Sequence, residues 1–140
     1  RSIPANKISF NYRSIELPKD LIFLSATFKG KVKNSEEINN YMTELNTIKN
    51  MAQPTKIKTS GSTFKNPISQ TDKKVWELIK SSVSNEISYG DAVISKKHAN
   101  FFVNKKNAKA ADMKSLINFV KKKVKDQTGI KLELEIVVVE

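Results

Sequence analysis

Cysteine is absent from this 140-residue chain. That excludes a disulfide framework, a thiolate metal site and a cysteine nucleophile. No apolar run approaches the ~20 residues that a membrane-spanning helix needs, and no signal-peptide pattern is present. Glycine occurs only four times, and histidine and tryptophan once each, at His98 and Trp76. Arginine occurs twice, at Arg1 and Arg13, although the formal net charge is +11. Sequence-specific DNA readers rely on arginine forks. A charge excess carried by scattered lysines therefore argues against nucleic acid as the partner, and fits a positive field that attracts small anionic ligands. A cytoplasmic protein with neither a nucleic-acid nor a membrane partner is expected. The first residue is Arg1 rather than Met, so a processed product or a piece of a longer chain is expected too.

What is present suits a soluble globular chain: 39% hydrophobic and 28% charged residues, enough for one ordinary domain or a small domain plus part of another. Residues 8–12 read as a short strand or a turn. Leu21-Ile22-Phe23-Leu24-Ser25-Ala26-Thr27-Phe28 reads as a strand, rich in branched and aromatic residues. Asn34 and Ser35 then offer helix caps, with Glu37 at the capping-box distance. Ile38, Tyr41, Met42, Leu45 and Ile48 recur at helical spacing up to Gln53-Pro54. A second helix is expected from about Asp72 to Ser82, capped by Thr71 or Asp72, with Val75, Trp76 and Ile79 buried. Short strands follow at 92–95 and 99–103. A third helix starts near Ala111, with Met113, Leu116, Ile117, Val120 and Val124 on one face and Gly129 as its stop. Residues 130–139 alternate as a closing strand that puts Glu133 and Glu135 on one face. The order suggests an α+β protein with mixed sheets packed with helices, divided into 1–52 and 53–140.

One stretch gathers chemistry: Thr59-Ser60-Gly61-Ser62-Thr63-Phe64-Lys65-Asn66-Pro67. Gly61 lets the backbone bend and present the Ser62 hydroxyl. Phe64 reads as an anchor, and Lys65 and Asn66 offer a cation and a carboxamide. Spacing alone also fits a plain surface turn. Upstream, Tyr12-Arg13-Ser14 sets a phenol, a guanidinium and a hydroxyl side by side, a trio suited to phosphate or carboxylate, or to an exposed loop.

Gly-Ser-Thr-Phe-Lys-Asn-Pro resembles the active-site segment of the UDP-N-acetylenolpyruvoylglucosamine reductases, the MurB family. Tyr12-Arg13-Ser14, the run Lys97-His98-Ala99-Asn100-Phe101-Phe102-Val103-Asn104, and the run from Gly129 to Ile136 fall in the family's order. The resemblance covers roughly the last half of a typical member. It implies an FAD-dependent oxidoreductase of peptidoglycan precursor synthesis. Such an enzyme reduces UDP-N-acetylglucosamine enolpyruvate to UDP-N-acetylmuramate with NADPH, and its FAD is held mainly by an upstream half. Residues 1–52 then correspond to the tail of the flavin-binding part and 53–140 to the substrate-binding domain. Ser62 matches the family's proton donor, and Glu135 the glutamate that polarises the enol carboxylate. Tyr12, Arg13, Lys65, Asn66, His98 and Asn100 match substrate-binding positions or lie beside them. Three positions depart from the pattern. Ala52 stands where a basic residue is common, Asp91 where a second glycine is usual, and no arginine ends the chain. An isolated chain is expected to bind FAD poorly. A non-enzymatic basic module that binds a UDP-sugar or nucleic acid is the alternative.

Overall fold

The structure is a computed structural model that describes residues 1–139. The chain divides into two compact units, 1–34 and 35–140.

In the first unit, β1 (Phe10–Asn11) and β2 (Ser14–Ile15) form an antiparallel hairpin, with Phe10 opposite Ile15 and Asn11 opposite Ser14. Tyr12 and Arg13 are its two-residue turn. Arg13 takes a left-handed φ of 59°, a conformation that costs a non-glycine residue about 1–2 kcal/mol. The strand expected over residues 21–28 is not formed. The segment carries no regular structure and its large apolar side chains are exposed, Leu24 to 91%. β-propensity only records fitness for a pleated, half-buried surface; among the described residues no neighbouring strand completes a ladder for this one.

The second unit opens with α1 (Ser35–Ala52), which ends two residues before Pro54. Its stripe of Ile38, Tyr41, Met42, Leu45 and Ile48 is exposed, however. Then follow β3 (Lys58–Ser62), α2 (Val75–Ser82), β4 (Ser88–Tyr89), β5 (Ala92–Ile94), β6 (Phe101–Asn104) and α3 (Ala110–Thr128). The four strands form one antiparallel sheet in the order β3-β6-β5-β4. Helix α3 packs on α2 and on β4 and β5. The buried faces of α2 (Val75, Leu78, Ile79) and α3 (Leu116, Ile117, Val120, Val124) meet Phe64, Ala92, Ile94 and Phe102 from the sheet in one core. The α+β reading holds.

Three expectations need correction. The second helix begins at Val75, not Asp72, and Thr71 instead accepts the Lys73 amide at 3.2 Å. Its buried face is Val75, Leu78, Ile79 and Ser82, so Trp76 falls at the rim, 40% exposed. The tail is not a strand along its length. It makes a single antiparallel bridge, Phe64 to Leu134, beyond which Val137 and Val139 are exposed; Glu140 lies outside the described residues. Period-two alternation separates Leu132, which is buried, from Glu133, which is not, but the tail meets the sheet only beside residues 63–65, just past the end of β3.

Candidate active site

Gly61 sets the geometry. Thr59 pairs with Val103 and Ser62 with Phe101, so β3 spends one more residue than β6 over the same span. This is a β-bulge, and Gly61 sits in it at φ 85°. The space where its Cβ would stand is open, so the glycine answers to the backbone angle alone. The Thr59 hydroxyl donates to the Phe102 carbonyl at 2.7 Å and accepts the Gly61 amide at 3.3 Å, pinning the bulge. The extra residue flips the pleat. Ser62 therefore shares the face of Phe101 and Val103, away from Phe102 and Ile94, which face the helices. Ser62 is half-buried there.

Beyond the bulge the segment is gripped from two sides. The Thr63 amide donates to the Asn100 carbonyl at 2.8 Å, and the Thr63 carbonyl accepts the Glu135 amide at 2.9 Å. Asn100 is 3% exposed. Its Oδ1 accepts the Phe64 amide at 3.0 Å and its Nδ2 donates to the Phe64 carbonyl at 2.9 Å. The sequence puts Asn100 beside the substrate; the structure spends its carboxamide on the Phe64 main chain, which makes it a support of this segment. Its amide also donates to His98 Nδ1 at 3.2 Å. That leaves the proton of the neutral ring on Nε2. Burial holds the His98 imidazole below its usual range, against a smaller opposing hydrogen bond. The ring meets Phe101 edge-on at 4.8 Å. Ser62, Glu135, Asn100 and His98 are thus tied to one stretch of main chain.

The Lys65 amide donates to the Glu133 carbonyl at 2.9 Å, and its ammonium lies 3.7 Å from Glu133 Oε2. Both side chains are open to solvent, so this pairing is worth little. Asn66 Oδ1 accepts the Val75 amide at 3.0 Å, nine residues ahead. It caps α2 because Lys74, which precedes the helix, has no acceptor to offer; Glu77 instead accepts the Lys74 amide at 2.7 Å. Glu135 is half-buried. Tyr12 and Arg13 belong to the first unit, where the guanidinium lies 5.4 Å from the Tyr12 ring centre.

A cavity of about 360 Å³ opens beside His98, lined by Ala52, Trp76, Lys80, Asn85, Ser95, Lys96, Lys97, His98 and Ala99. Three of these are lysines and none is acidic. Sequence reasoning missed Trp76 as a wall of this site by counting it into the core. The signal was present: 75, 78, 79 and 82 make a complete helical stripe and leave position 76 outside it. The lysines carry no such signal among so many others. No helix of the described residues is long and apolar enough to cross a membrane, and no group of three metal-ligating side chains occurs among them.

The bulged strand that carries Ser62, the Glu135 amide tied to Thr63 and the lysine-lined cavity beside His98 belong to one α+β domain. The model of the UDP-N-acetylenolpyruvoylglucosamine reductase C-terminal domain matches residues 53–139. The reductase of that name from Pelagibacter ubique (strain HTCC1062) is 65% identical over 135 residues, which is 96% of this chain and 45% of the relative. That from Rickettsia bellii (strain RML369-C) is 44% identical over 136 residues, 97% of this chain and 44% of its own length. Among solved structures, MurB from Thermus caldophilus superposes with a TM-score of 0.73 at 33% identity, covering 93% of this chain and 45% of that one. The chain belongs to the UDP-N-acetylenolpyruvoylglucosamine reductase family, and spans a little under half the length of these relatives.

Proposed function

We propose that this chain supplies the substrate-binding part of an oxidoreductase of peptidoglycan synthesis, one that reduces UDP-N-acetylglucosamine enolpyruvate to UDP-N-acetylmuramate in the cytoplasm. The observation that carries it is the double tie of Thr63, to Asn100 on one side and Glu135 on the other, which fixes Ser62 within a segment that matches the family's active-site motif.

In this reading Ser62 delivers the proton to the carbon beside the enol carboxylate. A serine hydroxyl is a poor acid and needs its alkoxide stabilised as the proton leaves. Lys65 is the nearest cation in sequence, and takes that part only by leaving Glu133. Glu135 polarises or orients the enol carboxylate. His98 and Asn66 face the sugar nucleotide, and Tyr12 and Arg13 its diphosphate. Asn100 is assigned a positioning role. The cavity beside His98 suits the nucleotide end: lysines for the phosphates, and Trp76 as a platform for a planar ring. Residues 1–52 serve as the end of a flavin-binding part and 53–140 as the substrate domain.

FAD as hydride carrier and NADPH as reductant belong to the whole enzyme. Neither group is assigned a site among the described residues. No hydride step is assigned to this chain. The test is calorimetric titration of the chain with UDP-N-acetylglucosamine enolpyruvate and, separately, with FAD. Saturable binding of the sugar nucleotide with no binding of FAD is expected. Stoichiometric FAD, or no sugar-nucleotide binding at millimolar concentration, contradicts the assignment.

A further inference from the structure

Helix α1 ends at the cavity, and that ending poses an electrostatic problem. A helix carries about half a negative charge at its carboxyl end, and its last four carbonyls find no amide within the helix. Ala52, the last residue of α1, lines the cavity. The Lys49 carbonyl is met by the Gln53 amide at 2.9 Å. The Asn50 carbonyl is not met in this way, because the residue four ahead is Pro54, which has no N–H. An anion entering this cavity would face an exposed, partly negative helix end.

Lys97 resolves this. Its ammonium donates to the Asn50 carbonyl, and its side chain also lines the cavity. Lys80 and Lys96 line it as well. We propose that Lys97 is a positioning residue for the anionic end of the ligand: it caps α1 and converts the helix end into a wall against which a nucleoside diphosphate can lie. Ala52 cannot supply this charge, so the cation comes from the loop across the cavity. The proposal rests on the reading of this cavity as a nucleotide site.

Uridine diphosphate titrated into the chain and three variants tests it. Lys97→Met keeps the bulk and drops the charge, and about tenfold weaker binding is expected, roughly 1.4 kcal/mol of lost cation–helix-end and cation–anion attraction. Lys97→Arg restores both charge and donors, and affinity within about twofold of the parent is expected. Lys106→Gln removes one unit of charge from an exposed turn outside the cavity, and no more than about a twofold change is expected. Hydrogen exchange supplies the second readout. The amides at the end of α1 exchange faster in Lys97→Met and recover in Lys97→Arg. Faster exchange with unchanged affinity in Lys97→Met overturns the proposal, as does an equal loss in Lys106→Gln or a failure of Lys97→Arg to recover. If the parent chain binds no uridine diphosphate, the nucleotide reading of the cavity falls, and the proposal with it.

Discussion

Asn100 shows how much of a segment one residue can hold together. Its carboxamide meets both main-chain groups of Phe64, its carbonyl receives the Thr63 amide and its own amide holds His98. Asn100→Ala leaves two buried main-chain groups without partners, at about 1–3 kcal/mol each. A loss of at least about 2 kcal/mol in urea denaturation is expected; a change below about 0.5 kcal/mol contradicts the role. His98 is held neutral by burial. Its folded pKa is depressed below the unfolded ~6.5, so the unfolded state binds more protons in that window. Stability present above about pH 7 is therefore lost progressively as pH falls from the unfolded value through the folded one. His98→Gln is expected to flatten the slope of the denaturation midpoint between about pH 7 and 5.5. An unchanged slope contradicts the depressed pKa. At this scale the motif marked the segment that Thr63 and Asn100 tie together. The hydrogen bonds of Asn100 were not legible, because a carboxamide reads the same in sequence whether it meets a ligand or a main chain.

The elements divide by what stabilises them. α1 and α3 carry their own hydrogen bonds, so both form where helical spacing predicts; Pro54 follows the end of α1 and Gly129 stops α3 at φ 74°. Residues 21–28 and 130–139 have the composition of strands but depend on partners that composition does not specify, and neither forms a full ladder. The β3 bulge lies between these cases. Gly61 marked a bend, yet the one-residue register shift that turns Ser62 to the outer face follows only from pairing with β6. Gly61→Ala meets no steric obstacle but must hold φ 85°. It is expected to cost about 1–2 kcal/mol, and any shift it causes in the bulge moves Ser62. A stability equal to the parent's contradicts the left-handed assignment.

At the scale of the molecule, the four-stranded sheet and two helices enclose a small core, Ser62 and Phe101 lie on the sheet face turned away from those helices, and His98 lines a cavity with three lysines. The formal net charge of +11 gives the chain a field that attracts anions in general. The apolar stripe of α1 and the large apolar side chains of 21–32 are exposed.

The most direct measurement of the proposed proton-donor role uses a chimera. This chain replaces its counterpart in the Pelagibacter relative, and visible flavin absorbance is followed after addition of NADPH and then of UDP-N-acetylglucosamine enolpyruvate. Bleaching by NADPH and recovery on adding the sugar nucleotide are predicted. In Ser62→Ala the same bleaching is predicted, with recovery slowed by at least about 100-fold, the scale of a lost general acid. Recovery at the parent rate in Ser62→Ala, or none in the parent chimera, would contradict the role.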